Sequence, residues 1–170
     1  MKNVIVVGAG ASGLMAAYTA AKNGNRVVVL EKNEKAGKKL YITGKGRCNL
    51  TNDIPPQDFL QNVVTNAKFL TGCIHKFPPS ALMEMLEEGG LPLKVERGSR
   101  VFPLSDKASD VTACLLRYCQ KEGVIFHFGE KVVKIEVIDS IMSGIITDKT
   151  RYDADCAVVC TGGASYPLTG

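Results

Sequence analysis

The apolar and polar positions open on a short strand, Val4 to Val7, followed by a helix from Ser12 to Lys22 and a second strand from Arg26 to Leu30. Both strands are almost unbroken apolar runs, the pattern of parallel strands covered on two faces. The helix is rich in alanine and stops at Asn23-Gly24. Further along, apolar residues at Phe59, Leu60, Val63, Val64, Ala67, Phe69, Leu70 and Ile74 predict an imperfect helical stripe over 59–73. Pro78-Pro79-Ser80 opens another helix, Ala81 to Glu88, closed by Gly89-Gly90, and Leu91 to Phe102 has the form of a hairpin turning near Gly98-Ser99. Ser105 to Gly123 predicts a helix with Ala108, Val111, Leu115, Leu116 and Tyr118 inward, leading to a third parallel strand, Val124 to Phe128. Lys131 to Val137, Met142 to Thr147 and Arg151 to Ala154 have the lengths and turns of a three-stranded antiparallel meander. Ala157 to Cys160 then returns as a buried strand and delivers Thr161-Gly162-Gly163 at its C-terminal end, where open α/β sheets bind ligands.

These elements predict an α/β chain with a Rossmann-like fold: a parallel sheet built on a βαβ unit, joined to an antiparallel β-meander. The stretch 37–103 breaks the alternation and is expected to be a loop and helical insertion over the nucleotide-binding edge. Between the first strand and the helix stands Gly8-Ala9-Gly10-Ala11-Ser12-Gly13. Gly8 permits the sharp turn, Gly10 lets a pyrophosphate approach the backbone, and Gly13 lets the helix lie close to the sheet. Glu31, at the end of the second strand, is placed to accept hydrogen bonds from a ribose 2'-OH and disfavours a 2'-phosphate. The site therefore reads as one for FAD or NAD rather than NADP, and a meander in place of a second crossover helix is expected of the FAD-binding variant. A tight strand-to-helix turn in some other α/β protein, with Glu31 merely solvated, is the competing explanation.

From Lys32 to Asp53 the chain turns polar and glycine-rich, with five Lys or Arg between Lys35 and Arg47. Such a loop can wrap a polyanion or lie as a solvated basic segment. It is not a nucleotide-triphosphate P-loop, because Gly44-Lys45 is followed by Gly46 rather than by Ser or Thr.

Charge changes the picture little. With 21 basic and 17 acidic residues the formal net charge is +4, a weak argument for an anionic ligand. Tryptophan is absent and aromatic residues make up 6% of the chain, which argues against a nucleic-acid platform. The six cysteines stand in apolar strands and helices with no CxxC spacing, so we expect reduced thiols in a cytoplasmic protein. No secretory leader or membrane span is expected, because Gly8, Gly10 and Gly13 interrupt the first apolar run. Cys48, beside Arg47, is the cysteine whose thiolate would be favoured. His75 and His127, the only histidines, fit structural roles, and no metal site is expected. Glu84, Glu87 and Glu88 fit the solvated face of a short helix.

At Gly37-Lys38-Lys39 and Gly44-Lys45-Gly46-Arg47-Cys48-Asn49-Leu50-Thr51-Asn52 the chain resembles the bacterial HI0933-like or YhiN-like family of NAD(P)/FAD-dependent oxidoreductases, some of them bile-acid-reductase-like flavoproteins. Arg100 to Ala108 and Thr161 to Gly170 match two further motifs of that family. The resemblance implies an N-terminal piece, 1–170, of a longer FAD-binding protein. The C-terminal return of the flavin domain and the substrate domain would lie outside it.

The same resemblance places Gly8, Gly10, Ala11, Ser12 and Gly13 on the pyrophosphate, Glu31 and Lys32 at the adenosine ribose, and the backbone of Val133 at the adenine. Lys39, Gly46, Arg47, Cys48 and Asn49 are expected along the ribityl and isoalloxazine side, with Thr161 and Gly162 near the pyrophosphate. It implies FAD as cofactor, NAD(P)H as electron donor and a small organic substrate, with Lys45 or Arg47 stabilising negative charge on reduced flavin. Catalytic residues, substrate and oligomeric state are not legible. The alternative is a dinucleotide-responsive binding or RNA-associated module without turnover, its basic loop contacting phosphates.

Overall fold

The computed structural model describes residues 1–163. In chain order its first elements are β1 (Asn3–Val7), α1 (Ala11–Lys22), β2 (Arg26–Glu31), a tight turn at Thr43–Gly46, β3 (Thr51–Asn52), α2 (Pro56–Gln61), α3 (Ala67–Lys76) and α4 (Pro79–Glu88). Then follow β4 (Leu93–Glu96), β5 (Arg100–Pro103), α5 (Ala108–Lys121), β6 (Ile125–Phe128), β7 (Val132–Ile138), β8 (Ile141–Thr147), β9 (Arg151–Asp153) and β10 (Cys156–Val159). The chain divides into two units, one formed by Met1–Leu40 with the stretch from Leu115 onward, the other by Tyr41–Cys114.

In the first unit four parallel strands lie in the order β10-β1-β2-β6. Ile5, Val7 and Leu30 face the meander β7-β8-β9, whose Ile145, together with Ala154 beyond it, completes a buried cluster. By strand alternation Val4, Val6, Val27 and Val29, all buried, point to the opposite face. On α1 the buried residues Leu14, Ala17 and Ala21 recur at helical spacing, and the helix packs on β1, β2 and β10. Behind it, Tyr18 meets Tyr118 with ring centroids 5.1 Å apart, and the Cys119 thiol donates to the Leu14 carbonyl at 3.2 Å. Asp139 and Ser140, both in the left-handed region, make the tight turn between β7 and β8.

The second unit holds the antiparallel sheet β3-β5-β4. Val101, Phe102 and Pro103 of β5 are buried, with Leu86 of α4, Leu91, and Val111 and Cys114 from the start of α5.

Three expectations need correction. The stripe over 59–73 is two helices, α2 and α3, separated where Asn66 takes a left-handed conformation, and neither helix fully buries a residue. The helix expected from Ser105 begins only at Ala108, because Asp106 is also left-handed. Finally, β6 and β10 are the edges of the four-stranded sheet among the described residues, so Ile125, Val158 and Val159 are exposed and His127 is open to solvent rather than buried. Among the described residues no helix is long and apolar enough to cross a membrane.

Candidate functional site

The strand order sets the site. β1 connects to β2 on one side and pairs with β10 on the other, so its C-terminal end is a topological switch point, where open α/β sheets form a crevice. Gly8 ends β1 with φ of +101° and donates its N–H to the Leu30 carbonyl at 2.8 Å. A Cβ on Gly8 would sit 2.5 Å from the Cys160 carbonyl oxygen, and one on Gly13 would sit 1.9 Å from the Gly8 oxygen. The turn, α1 and the end of β10 are therefore in backbone contact, and Thr161 and Gly162 follow directly from β10.

Gly10 differs from both. Nothing lies within 4 Å of where its Cβ would be, and it caps α1 with no side-chain hydrogen bond to the helix. No acid occupies the first turn, and Ala11 and Ser12 are exposed. A helix N-terminus left open in this way presents unpaired N–H groups and a partial positive charge to an anion.

Glu31 borders this opening. Its residue exposure is 8%, and its carboxylate accepts three hydrogen bonds: Oε2 accepts from the Ala9 N–H at 2.7 Å, and Oε1 accepts from the Asn33 N–H at 2.8 Å and from Asn33 Nδ2 at 2.6 Å. The Ala9 carbonyl accepts in turn from the Gly37 N–H at 2.9 Å, so the backbone groups of Ala9 are tied to the last residue of β2 and to the segment that follows it. Lys39 Nζ donates to the Gly163 carbonyl at 3.4 Å, which brings a cation to the same end of the sheet, whereas Lys32 is exposed just beyond β2. Val133 lies on β7 between Val132 and Lys134, where the pairing with β8 slips. Such a bulge leaves the extra residue outside the ladder.

In the second unit Gly46, Arg47, Cys48 and Asn49 follow one another through the turn. Arg47 Nη1 donates to Glu96 at 2.8 Å and to Asp106 at 3.3 Å, and its guanidinium lies 4.1 Å from the centre of the Phe102 ring. Lys94 completes the set, 2.6 Å from Asp106 and 3.6 Å from Glu96. The Arg47 hydrogen bond holds the Glu96 carboxyl below the usual range, and the Lys94 hydrogen bond does the same for Asp106. With the Asn49 amide oriented to satisfy its neighbours, its nitrogen donates to the Val101 and Thr51 carbonyls at 3.2 Å. Lys45, by contrast, is exposed at the tip of the turn.

The expectation of a favoured Cys48 thiolate is overturned. Cys48 is fully buried, burial pushes its thiol up, and Arg47 directs its charge to two carboxylates instead. Among the described residues no group of three or more His, Cys, Asp and Glu is placed to hold a metal. Asn33 escaped the sequence reading; the available signal was an amide side chain two residues after the strand-ending acid. Ala164 to Gly170, the remainder of the last motif, lie outside the described residues.

Residues 2–170 match the HI0933-like protein Rossmann domain, and the chain belongs to that family of NAD(P)/FAD-dependent oxidoreductases. It is 30% identical to the 3-dehydro-bile acid delta(4,6)-reductase of Clostridium scindens over 100% of its own length and 41% of that protein. It is 26% identical to the ribosomal RNA dihydrouridine synthase of Escherichia coli over 99% of its length and 41% of that protein. The chain thus spans about two-fifths of these relatives. In fold it is similar to the 3-ketosteroid-delta4-(5alpha)-dehydrogenase of Rhodococcus jostii RHA1, with a TM-score of 0.73 at 17% identity, covering 95% of this chain and 46% of that one.

Proposed function

We propose that this member of the HI0933-like family is the FAD-binding part of a flavin-dependent oxidoreductase that uses NAD(P)H to reduce a carbon–carbon double bond in a small organic substrate. The observation that carries the reading is the open, uncapped N-terminus of α1, with vacant space at Gly10 and the Glu31 carboxylate held beside it. These residues fit a dinucleotide. The α1 N–H groups at Ala11, Ser12 and Gly13 would hold the pyrophosphate, with Thr161 and Gly162 alongside. Glu31 and Lys32 would meet the adenosine ribose. The bulged Val133, whose backbone is outside the strand ladder, would meet the adenine. Lys39, Gly46, Arg47, Cys48 and Asn49 would line the ribityl and isoalloxazine side.

FAD, when bound, supplies hydride transfer, and the protein supplies position and electrostatics. Of the two candidate cations for stabilising charge on reduced flavin, Arg47 is committed to Glu96 and Asp106. That role falls to Lys45, and Arg47 fixes the turn that presents it. The free, buried thiols of Cys48, Cys114 and Cys119 support a reducing, cytoplasmic location.

The substrate class rests on the two relatives. Each name describes saturation of a carbon–carbon double bond, one in a bile acid and one in a uridine of ribosomal RNA. The shared chemistry is hydride addition to an electron-poor alkene. The uridine relatives favour a second reading, in which the alkene belongs to an RNA base and the basic Lys35 to Arg47 stretch contacts phosphates.

The test is to titrate the full-length protein with FAD and then follow bleaching of the oxidised flavin on adding NADH or NADPH without oxygen. Saturable FAD binding and bleaching support the enzyme. NADH binding without any FAD binding refutes it, and salt-sensitive RNA binding that persists without flavin favours the RNA-associated module.

A further inference from the structure

Asn33 uses every hydrogen-bonding group it has. Its N–H and Nδ2 both donate to Glu31 Oε1, its Oδ1 accepts from Lys38 Nζ at 3.0 Å, and its carbonyl accepts from the Gly129 N–H at 3.0 Å. A carboxylate on one side and an ammonium on the other fix which way round the amide sits. Glu31 Oε1 therefore has both acceptor positions filled by one residue, while Oε2 carries only the Ala9 N–H. A carboxylate has about four acceptor sites, so the position left for a ligand hydroxyl is on Oε2, the oxygen that borders the glycine turn.

We infer that Asn33 is a positioning residue that holds the Glu31 carboxylate with Oε2 presented to the adenosine ribose. The inference rests on the dinucleotide reading above and adds a residue that makes no ligand contact of its own. Lys38 acts one step further out, orienting the amide that orients the acid. The backbone N–H and carbonyl of Asn33 make two of its four bonds, so replacing the side chain removes Nδ2 and Oδ1 while the turn keeps its main-chain anchors.

The probes are ADP and 2',3'-dideoxy-ADP, measured by calorimetry on the protein and on Asn33→Ala and Asn33→Asp, with the melting temperature of each recorded. The unaltered protein is expected to prefer ADP by about tenfold, the size of one hydrogen bond to a charged acceptor. In Asn33→Ala the preference collapses to within about twofold because ADP weakens and the dideoxy compound does not. In Asn33→Asp a second carboxylate faces Glu31 Oε1. The preference is then lost as in Asn33→Ala, because the side-chain donor to Oε1 is gone.

A purely structural role predicts equal weakening of both probes, and that result overturns the inference. So does an unaltered protein that binds ADP without preferring it, an outcome that leaves the dinucleotide reading standing. An unaltered protein that binds neither ADP nor FAD removes the dinucleotide reading and this inference with it.

Discussion

Gly13 and Gly10 stand three residues apart in one motif, yet the structure assigns them different penalties for an added methyl group. In Gly13→Ala the new Cβ would lie 1.9 Å from the Gly8 carbonyl oxygen and 3.4 Å from Cys160 Cβ. The Gly8 carbonyl belongs to a turn pinned by its own N–H to Leu30, so relief must come from α1. Ordinary contact begins near 3.4 Å, which requires the helix to withdraw by about 1.5 Å from the strand end, pulling Leu14, Ala17 and Ala21 out of register with the sheet. Overpacking on this scale costs about 3 kcal/mol or somewhat more. The better helix propensity of alanine returns about 1 kcal/mol. The net loss of about 2–3 kcal/mol corresponds to a melting temperature lower by roughly 5–10 °C for a chain of this size.

Gly10→Ala meets no atom within 4 Å. It loses only a preferred capping residue, about 0.5–1 kcal/mol. Its methyl group instead occupies the space we propose for the pyrophosphate, so FAD affinity should fall by at least about tenfold, or 1.4 kcal/mol. Urea midpoints and FAD titrations on both variants separate the two effects. A Gly13→Ala chain within about 0.5 kcal/mol of the unaltered protein would refute the packing argument. A Gly10→Ala chain that binds FAD normally would refute the assignment of that space to phosphate.

Two other outcomes follow from the same coordinates. Iodoacetamide at pH 8 should label the exposed Cys73 well before Cys48, Cys114 and Cys119, which are fully buried, and burial pushes Cys119 up to about 11; labelling of Cys48 at the rate of Cys73 in native protein, read by peptide mass spectrometry, would contradict its placement. Glu96 and Asp106 have carboxyls held below their ordinary range, so their contribution to stability is fully present above the unfolded carboxylate range and is lost as pH falls through their lowered values. Urea midpoints from pH 7 to pH 3 should therefore fall more steeply for the unaltered protein than for Glu96→Gln, and parallel curves would show that the pairs with Arg47 and Lys94 are not formed in solution.

How far each feature could be read in advance tracks the distance along the chain over which it is encoded. The β1-α1-β2 unit was legible because its signals are local: two apolar runs, an alanine-rich helix, and Gly8 and Gly13 at positions where a methyl group has no room. The meander was legible for the same reason, through Asp139-Ser140 and its short alternating arms. What failed depends on partners. Val158 and Val159 are as apolar as any core strand, but strand order, which no local pattern states, puts β10 at an edge among the described residues. Residues 59–73 carry a helical stripe, and only the conformation of Asn66 divides it.

The site divides in the same way. Glu31 was recognised as the strand-ending acid, but its geometry depends on Ala9 and Asn33, the first of these 22 residues away. Arg47 looked like a free cation beside a reactive thiol because Glu96 and Asp106, 49 and 59 residues distant, were invisible as its partners. A charged residue in a glycine-rich loop is thus ambiguous until its counter-ions are known. Here they hold Arg47 in the turn, and under the proposed function the charge-stabilising role passes to Lys45, exposed at its tip.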